Sequence, residues 1–156
     1  MSQHVNRRSF LKASSAFAAG FTIAGTRASG RVLGANDTIR VAVAGLNGRG
    51  GSHVDAYAGM QGVEITYLID PDTRTYKSKL KTIQNKAGNT PKTVQDVRKA
   101  LEDKNLDVVS IATPNHWHSL MGIWACQAGK DVYVEKPCSH ELHEGRVLVE
   151  AGKKYD

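Results

Sequence analysis

The feature that most constrains this chain is a short β-branched run that ends in glycine. Thr38 to Leu46 reads TIRVAVAGL, and Asn47-Gly48-Arg49-Gly50 follows at once. An unbroken apolar run of this length suits a strand buried on both faces, as in a parallel sheet. A parallel neighbour requires a crossover segment. Arg49 to Met60 supplies one, with Val54, Tyr57 and Ala58 at helical spacing.

The same alternation continues along the chain. Val63–Ile69 reads as a second strand, closed by Asp70-Pro71-Asp72, and Thr73–Lys86 as a polar helix with Leu80 and Ile83 inward. Gly88–Pro91 is a loop, Lys92–Val94 a short extended piece, and Asp96 caps a helix that runs to about Asp103. Leu106–Ala112 is a strand, and Pro114 opens a helix that Gly129 stops. Asp131–Glu135 and His140–Lys154 are the last strand and helix. Strands alternating with helices predict an α/β fold, a doubly wound parallel sheet of Rossmann type. The alternation ends on a helix with no further strand to pair, so the sheet is expected to be incomplete at its C-terminal end.

The 156 residues are enough for one domain, and the composition is that of a globular protein. The formal charge of +6 is unevenly spread. Residues 1–35 carry five basic and no acidic residues, whereas residues 36–156 are nearly balanced. The basic excess therefore belongs to a leader, and a nucleic-acid partner is not expected. Two cysteines, Cys126 and Cys138, are too few for a disulfide scaffold and read as free thiols.

Asn6-Arg7-Arg8-Ser9-Phe10-Leu11-Lys12 precedes an apolar run, Ala13 to Gly25, and then Thr26-Arg27-Ala28-Ser29. The run is too short for a stable membrane span, which takes about 20 apolar residues. The pattern resembles a twin-arginine export signal, whose consensus is two arginines, any residue, then Phe-Leu-Lys. It implies residues 1–35 as signal peptide and linker, the twin-arginine export machinery as a partner, and a periplasmic or other extracytoplasmic destination. Residues 36–156 would then be the mature domain.

Gly45-Leu46-Asn47-Gly48-Arg49-Gly50 stands where a dinucleotide-binding fingerprint would stand, between strand and helix. Gly45 allows the tight turn, and Gly50 lets the helix pack on the strand. Asn47 replaces the usual middle glycine; asparagine tolerates positive φ, and Gly48 beside it offers further freedom. Helix-start N–H groups face a pyrophosphate at such a turn. Asp70, 20 residues after Gly50 at a strand end, is placed to accept from ribose hydroxyls. As an Asp-Pro it is equally a turn opener. Asp70 favours NAD over NADP, while Arg74, one turn on, offers a 2′-phosphate a partner. Lys136, in Glu135-Lys136-Pro137, is the only lysine at a strand end. Its ammonium suits ribose hydroxyls or a substrate hydroxyl, or it is a solvated loop lysine. A metal role for His116 and His118, or for His140 and His143, lacks a third ligand and is not expected.

The Gly-rich turn after IRVAVA, together with SIATPNHWH and VYVEKP, resembles the Gfo/Idh/MocA oxidoreductases, named for glucose–fructose oxidoreductase and inositol dehydrogenase, in their exported branch. The resemblance implies NAD or NADP as cofactor and hydride transfer to or from a sugar or polyol. It puts Gly45, Asn47, Gly48, Arg49 and Gly50 at the pyrophosphate and Asp70 at the ribose. Thr113, Asn115, His116 and His118 would line the nicotinamide end. Glu135 and Lys136 would belong to the EKP motif, whose lysine works beside the reacting hydroxyl. It also implies a second domain with substrate contacts and a later Asp and His, in a full-length form compatible with a homo-oligomer, and hence that this chain is a fragment or a truncated product. A lone, non-catalytic nucleotide-binding module is the competing expectation.

Overall fold

In the computed structural model, residues 38–155 are described. The leader expectation therefore lies outside the described residues. Strand β1 is Ile39–Ala44, followed by helix α1, Arg49–Tyr57, and strand β2, Val63–Ile69. A 3-10 turn at Thr73–Thr75 leads into α2, Tyr76–Ala87, and β3 is Lys92–Val94. Then come α3, Val97–Leu101, and β4, Val108–Ile111. A second 3-10 turn, Asn115–Trp117, leads into α4, His118–Gln127; β5 is Asp131–Val134, and α5 is Leu142–Tyr155.

The five strands form one sheet in the order β3-β2-β1-β4-β5, and every pairing is parallel. The doubly wound α/β reading of the sequence is therefore correct. β1 lies at the centre, and Val41–Ala44 are 0–3% exposed. Their side chains alternate between two cores. Ala42 and Ala44 join Val97, Ala100 and Ala125 on the α3–α4 face. Val41 and Val43 join Val54, Tyr76 and Ile83 on the α1–α2 face. Each fully buried Val or Ile contributes about 1.5–3 kcal/mol relative to exposure, so both helical layers are strongly held.

Three helix starts differ from the sequence reading, the first being the helix expected from Thr73, which is a 3-10 turn over Thr73–Thr75 and α-helical only from Tyr76. The helix expected from Pro114 begins as a 3-10 turn, with the Trp117 N–H donating to Pro114 O at 2.9 Å, and becomes α-helical only at His118. The last helix starts at Leu142, because Glu144 folds back to accept from the N–H groups of His140 and Glu141, in the manner of a capping box. Asp96 caps α3 as expected, accepting from the Arg98 N–H at 2.9 Å. Cys126 and Cys138 are both free thiols. No helix among the described residues is long and apolar enough to cross a membrane.

Candidate functional site

The carboxyl ends of β1, β2, β4 and β5 bring the sequence-predicted residues to one edge of the sheet, where open α/β sheets bind ligands. Gly45 leaves β1 with φ +83°, and its N–H donates to Ile69 O at 2.8 Å. A Cβ there would lie 2.6 Å from Ala112 O, so a side chain meets both strain and backbone. At Gly50 a Cβ would fall 1.8 Å from Gly45 O, which makes the close packing of α1 on the turn possible only for glycine. Asn47 has no positive φ, contrary to the freedom expected of it, and Gly48 sits at φ −136°. Gly48 instead matters through space: nothing lies within 4 Å of where its Cβ would be. Among the described residues no side chain caps the N-terminus of α1; the Gly51 N–H donates to Gly48 O at 2.9 Å, and the N–H groups ahead of it are left for an anion.

Asp70 is buried and does two jobs. One oxygen accepts from the Leu46 N–H at 2.7 Å, which holds the glycine turn against the end of β2. The other accepts from the Asp72 N–H at 2.9 Å, the turn bond expected of an Asp-Pro opener. Each oxygen keeps further acceptor capacity. Arg74 is held away from this carboxylate: its guanidinium forks onto Asp72, with Nη2 2.8 Å and Nε 2.9 Å from the two oxygens. The Arg74 hydrogen bonds hold the Asp72 carboxyl below its usual range.

Between the Gly45 turn, the Asp70 turn and the Thr113 loop lies a cleft of about 650 Å³, within the usual size range of small-molecule sites. Asp70, Asn47, Gly48 and Thr113 line it, and Val97, Trp117, Met121 and Trp124 form an apolar wall. That wall was missed from sequence, although Trp117, Met121 and Trp124 recur at helical spacing. The Thr113 Oγ1 is buried without a hydrogen-bond partner among the described residues. An unpaired buried hydroxyl costs about 1–3 kcal/mol, a cost relieved by a polar ligand atom. Free helix-start N–H groups, acidic Asp70, an orphaned Thr113 hydroxyl and an apolar slot together fit a dinucleotide.

The remaining predicted residues sit beside this cleft rather than in its lining. Glu135 accepts from Arg49 Nε at 2.8 Å and from His53 Nε2 at 3.0 Å, so the glycine turn and the EKP loop are tied together. The Arg49 hydrogen bond, followed by that of His53, lowers the Glu135 carboxyl to about 2. Lys136 is exposed and makes no salt bridge among the described residues, and its bond to Pro137 is cis. Asn115 and His116 are exposed on the 3-10 turn. His118 is 1% exposed, with Nδ1 2.7 Å from Pro137 O and Nε2 2.7 Å from Thr113 O; it braces two loops. Among the described residues no group of three side chains is arranged to hold a metal.

Residues 39–156 match the family described as "Oxidoreductase family, NAD-binding Rossmann fold", GFO_IDH_MocA. A Glycosyl hydrolase family 109 protein of Shewanella pealeana is 28% identical over 96% of this chain and 37% of its own length. The chain thus spans under two fifths of that curated relative. Among solved structures, GenD2 from gentamicin A biosynthesis, in complex with NAD, has a TM-score of 0.67 at 25% identity, covering 80% of this chain and 34% of GenD2. Myo-inositol 2-dehydrogenase from Lactobacillus plantarum has a TM-score of 0.66 at 25% identity, covering 76% and 34%.

Proposed function

Because this chain belongs to the Gfo/Idh/MocA oxidoreductase family as its NAD-binding Rossmann domain, we propose that it serves an enzyme that moves a hydride between NAD and a carbon of a sugar or polyol. The observation that carries this reading is the placement of Lys136, an exposed cation without a salt bridge among the described residues, whose neighbours on both sides are held from the interior. The sugar-directed class is supported by the inositol dehydrogenase neighbour and by the glycosyl hydrolase relative.

Nicotinamide supplies the hydride acceptor when bound. Everything else falls to the protein. The first turn of α1 and Gly48 receive the pyrophosphate, and Asp70 accepts from a ribose hydroxyl. NADP is disfavoured by Asp70 and again by Asp72, which occupies the Arg74 guanidinium. Thr113 offers its hydroxyl to the cofactor. Lys136 stabilises negative charge growing on the substrate oxygen as its proton leaves. In the full-length protein Lys136→Ala should lower kcat on the order of 10²-fold or more, the scale of losing one electrostatic stabiliser. Lys136→Arg should not restore it, because the guanidinium is larger and distributes its charge differently. Near-normal kcat in Lys136→Ala would return Lys136 to a solvated loop residue.

We also propose export of the protein by the twin-arginine route, on the Arg7-Arg8-Ser9-Phe10-Leu11-Lys12 motif. The match to the Shewanella relative covers 96% of the chain and therefore takes in most of this leader.

A further inference from the structure

Three buried side chains converge on residues 135–138. His118 reaches Pro137 O at 2.7 Å, and Ser119 Oγ donates to Cys138 O at 3.1 Å. Both act on backbone. His53 alone grips a side chain, with Nε2 3.0 Å from Glu135 Oε1. Its other nitrogen, Nδ1, lies 2.9 Å from the hydroxyl of Ser110, which is 0% exposed. The Tyr57 hydroxyl donates to the same Ser110 Oγ at 3.3 Å.

The partners determine the direction of this chain. A carboxylate only accepts, so Nε2–H donates to Glu135. In the neutral imidazole Nδ1 then accepts from Ser110, whose oxygen accepts from Tyr57. Every group is satisfied in one sense, as a buried network requires. On the solvent side Arg49, 63% exposed, holds the same Glu135 oxygen. That bond faces water and is open to screening, whereas the bond from His53 is not. The buried hold on Glu135 therefore comes from His53.

We infer that His53 is the positioning residue of the Glu135-Lys136-Pro137 loop, anchoring Glu135 so that the lysine loop and the glycine turn keep one arrangement at the nicotinamide end of the cofactor. The inference rests on the NAD reading above and adds to it. His53 itself is only 7% exposed and does not line the cleft, so it acts through Glu135. The sequence carries a faint trace of it: a serine interrupts the apolar strand Val108–Ile111, and His53 stands one helical turn before Tyr57.

The test separates holding Glu135 from merely filling a buried site. An asparagine at 53 places its amide near the Nδ1 position, satisfying Ser110 but falling short of Glu135. A glutamine reaches the Nε2 position and donates to Glu135. The chain carrying each substitution is titrated with NADH and with AMP, which lacks the nicotinamide half. His53→Asn should weaken NADH on the order of tenfold, the scale of a lost charge-assisted hydrogen bond, and leave AMP binding unchanged. His53→Gln should recover most of the NADH affinity. Unchanged NADH binding in His53→Asn, or equal losses for NADH and AMP, would overturn the inference. Glu135→Ala, on a partly exposed loop, provides the second arm should His53→Asn not fold: it should reproduce the selective NADH loss, and retained NADH affinity would overturn the inference. A wild-type chain that binds AMP and NADH equally tightly would contradict the inference while leaving nucleotide binding intact; one that binds neither overturns the NAD reading and this inference with it.

Discussion

At the residue scale, Asp70 shows how one side chain serves fold and ligand together. Its oxygens hold Leu46 and Asp72 by their N–H groups, and it still lines the cleft. Asp70→Asn keeps the side chain's size but removes the charge, so NADH affinity should drop by about 1.5–3 kcal/mol, while NADPH, relieved of repulsion, loses less. Parallel fluorescence titrations check this; equal losses would make Asp70 a turn residue alone. Its position was legible because strand end, Asp-Pro and distance from Gly50 are all local signals. His53, Ser110 and the Trp117–Trp124 wall were not, because their meaning depends on strands and helices far apart in sequence meeting. A histidine in a helix and a serine in a strand are individually unremarkable.

At the element scale, the glycine turn and the end of β5 are joined by Arg49 and Glu135, 86 residues apart. The folded state depresses the Glu135 carboxyl from 4.5 to about 2, led by the Arg49 hydrogen bond. A depressed acid contributes stability above its unfolded range and loses it as pH falls through the folded value. The contribution should therefore be intact above pH 4.5 and disappear toward about pH 2. Thermal melts across that window should show a slope that Glu135→Gln flattens; identical slopes would mean the contact is absent in solution. Element identity was readable from period and caps, whereas boundaries moved by a few residues where 3-10 turns and the Glu144 cap intervened. These depend on side-chain bonds that no periodicity displays.

At the scale of the whole molecule, the parallel sheet followed from strand–helix alternation, whereas its order, with β1 at the centre, emerged only in the structure. The uneven charge pointed to a separate leader. A reporter fused after Ala35 should be exported, and Arg7→Lys with Arg8→Lys should stop it; continued export of the double mutant would refute the twin-arginine proposal. The central claim is that the cleft between the Gly45 turn, Asp70 and Thr113 is an NAD site. The most direct measurement is a fluorescence titration of the chain with NADH, beside Gly48→Val. A Cβ at Gly48 meets no protein atom within 4 Å, so the added side chain stands in the open space assigned to the pyrophosphate, and a melting curve run beside the titration separates lost binding from lost folding. The account predicts saturable, one-to-one NADH binding by the wild type and a loss on the order of tenfold or more in Gly48→Val, as for displaced charge-assisted bonds. Absence of saturable binding by the wild type, or undiminished binding by the variant, would contradict it.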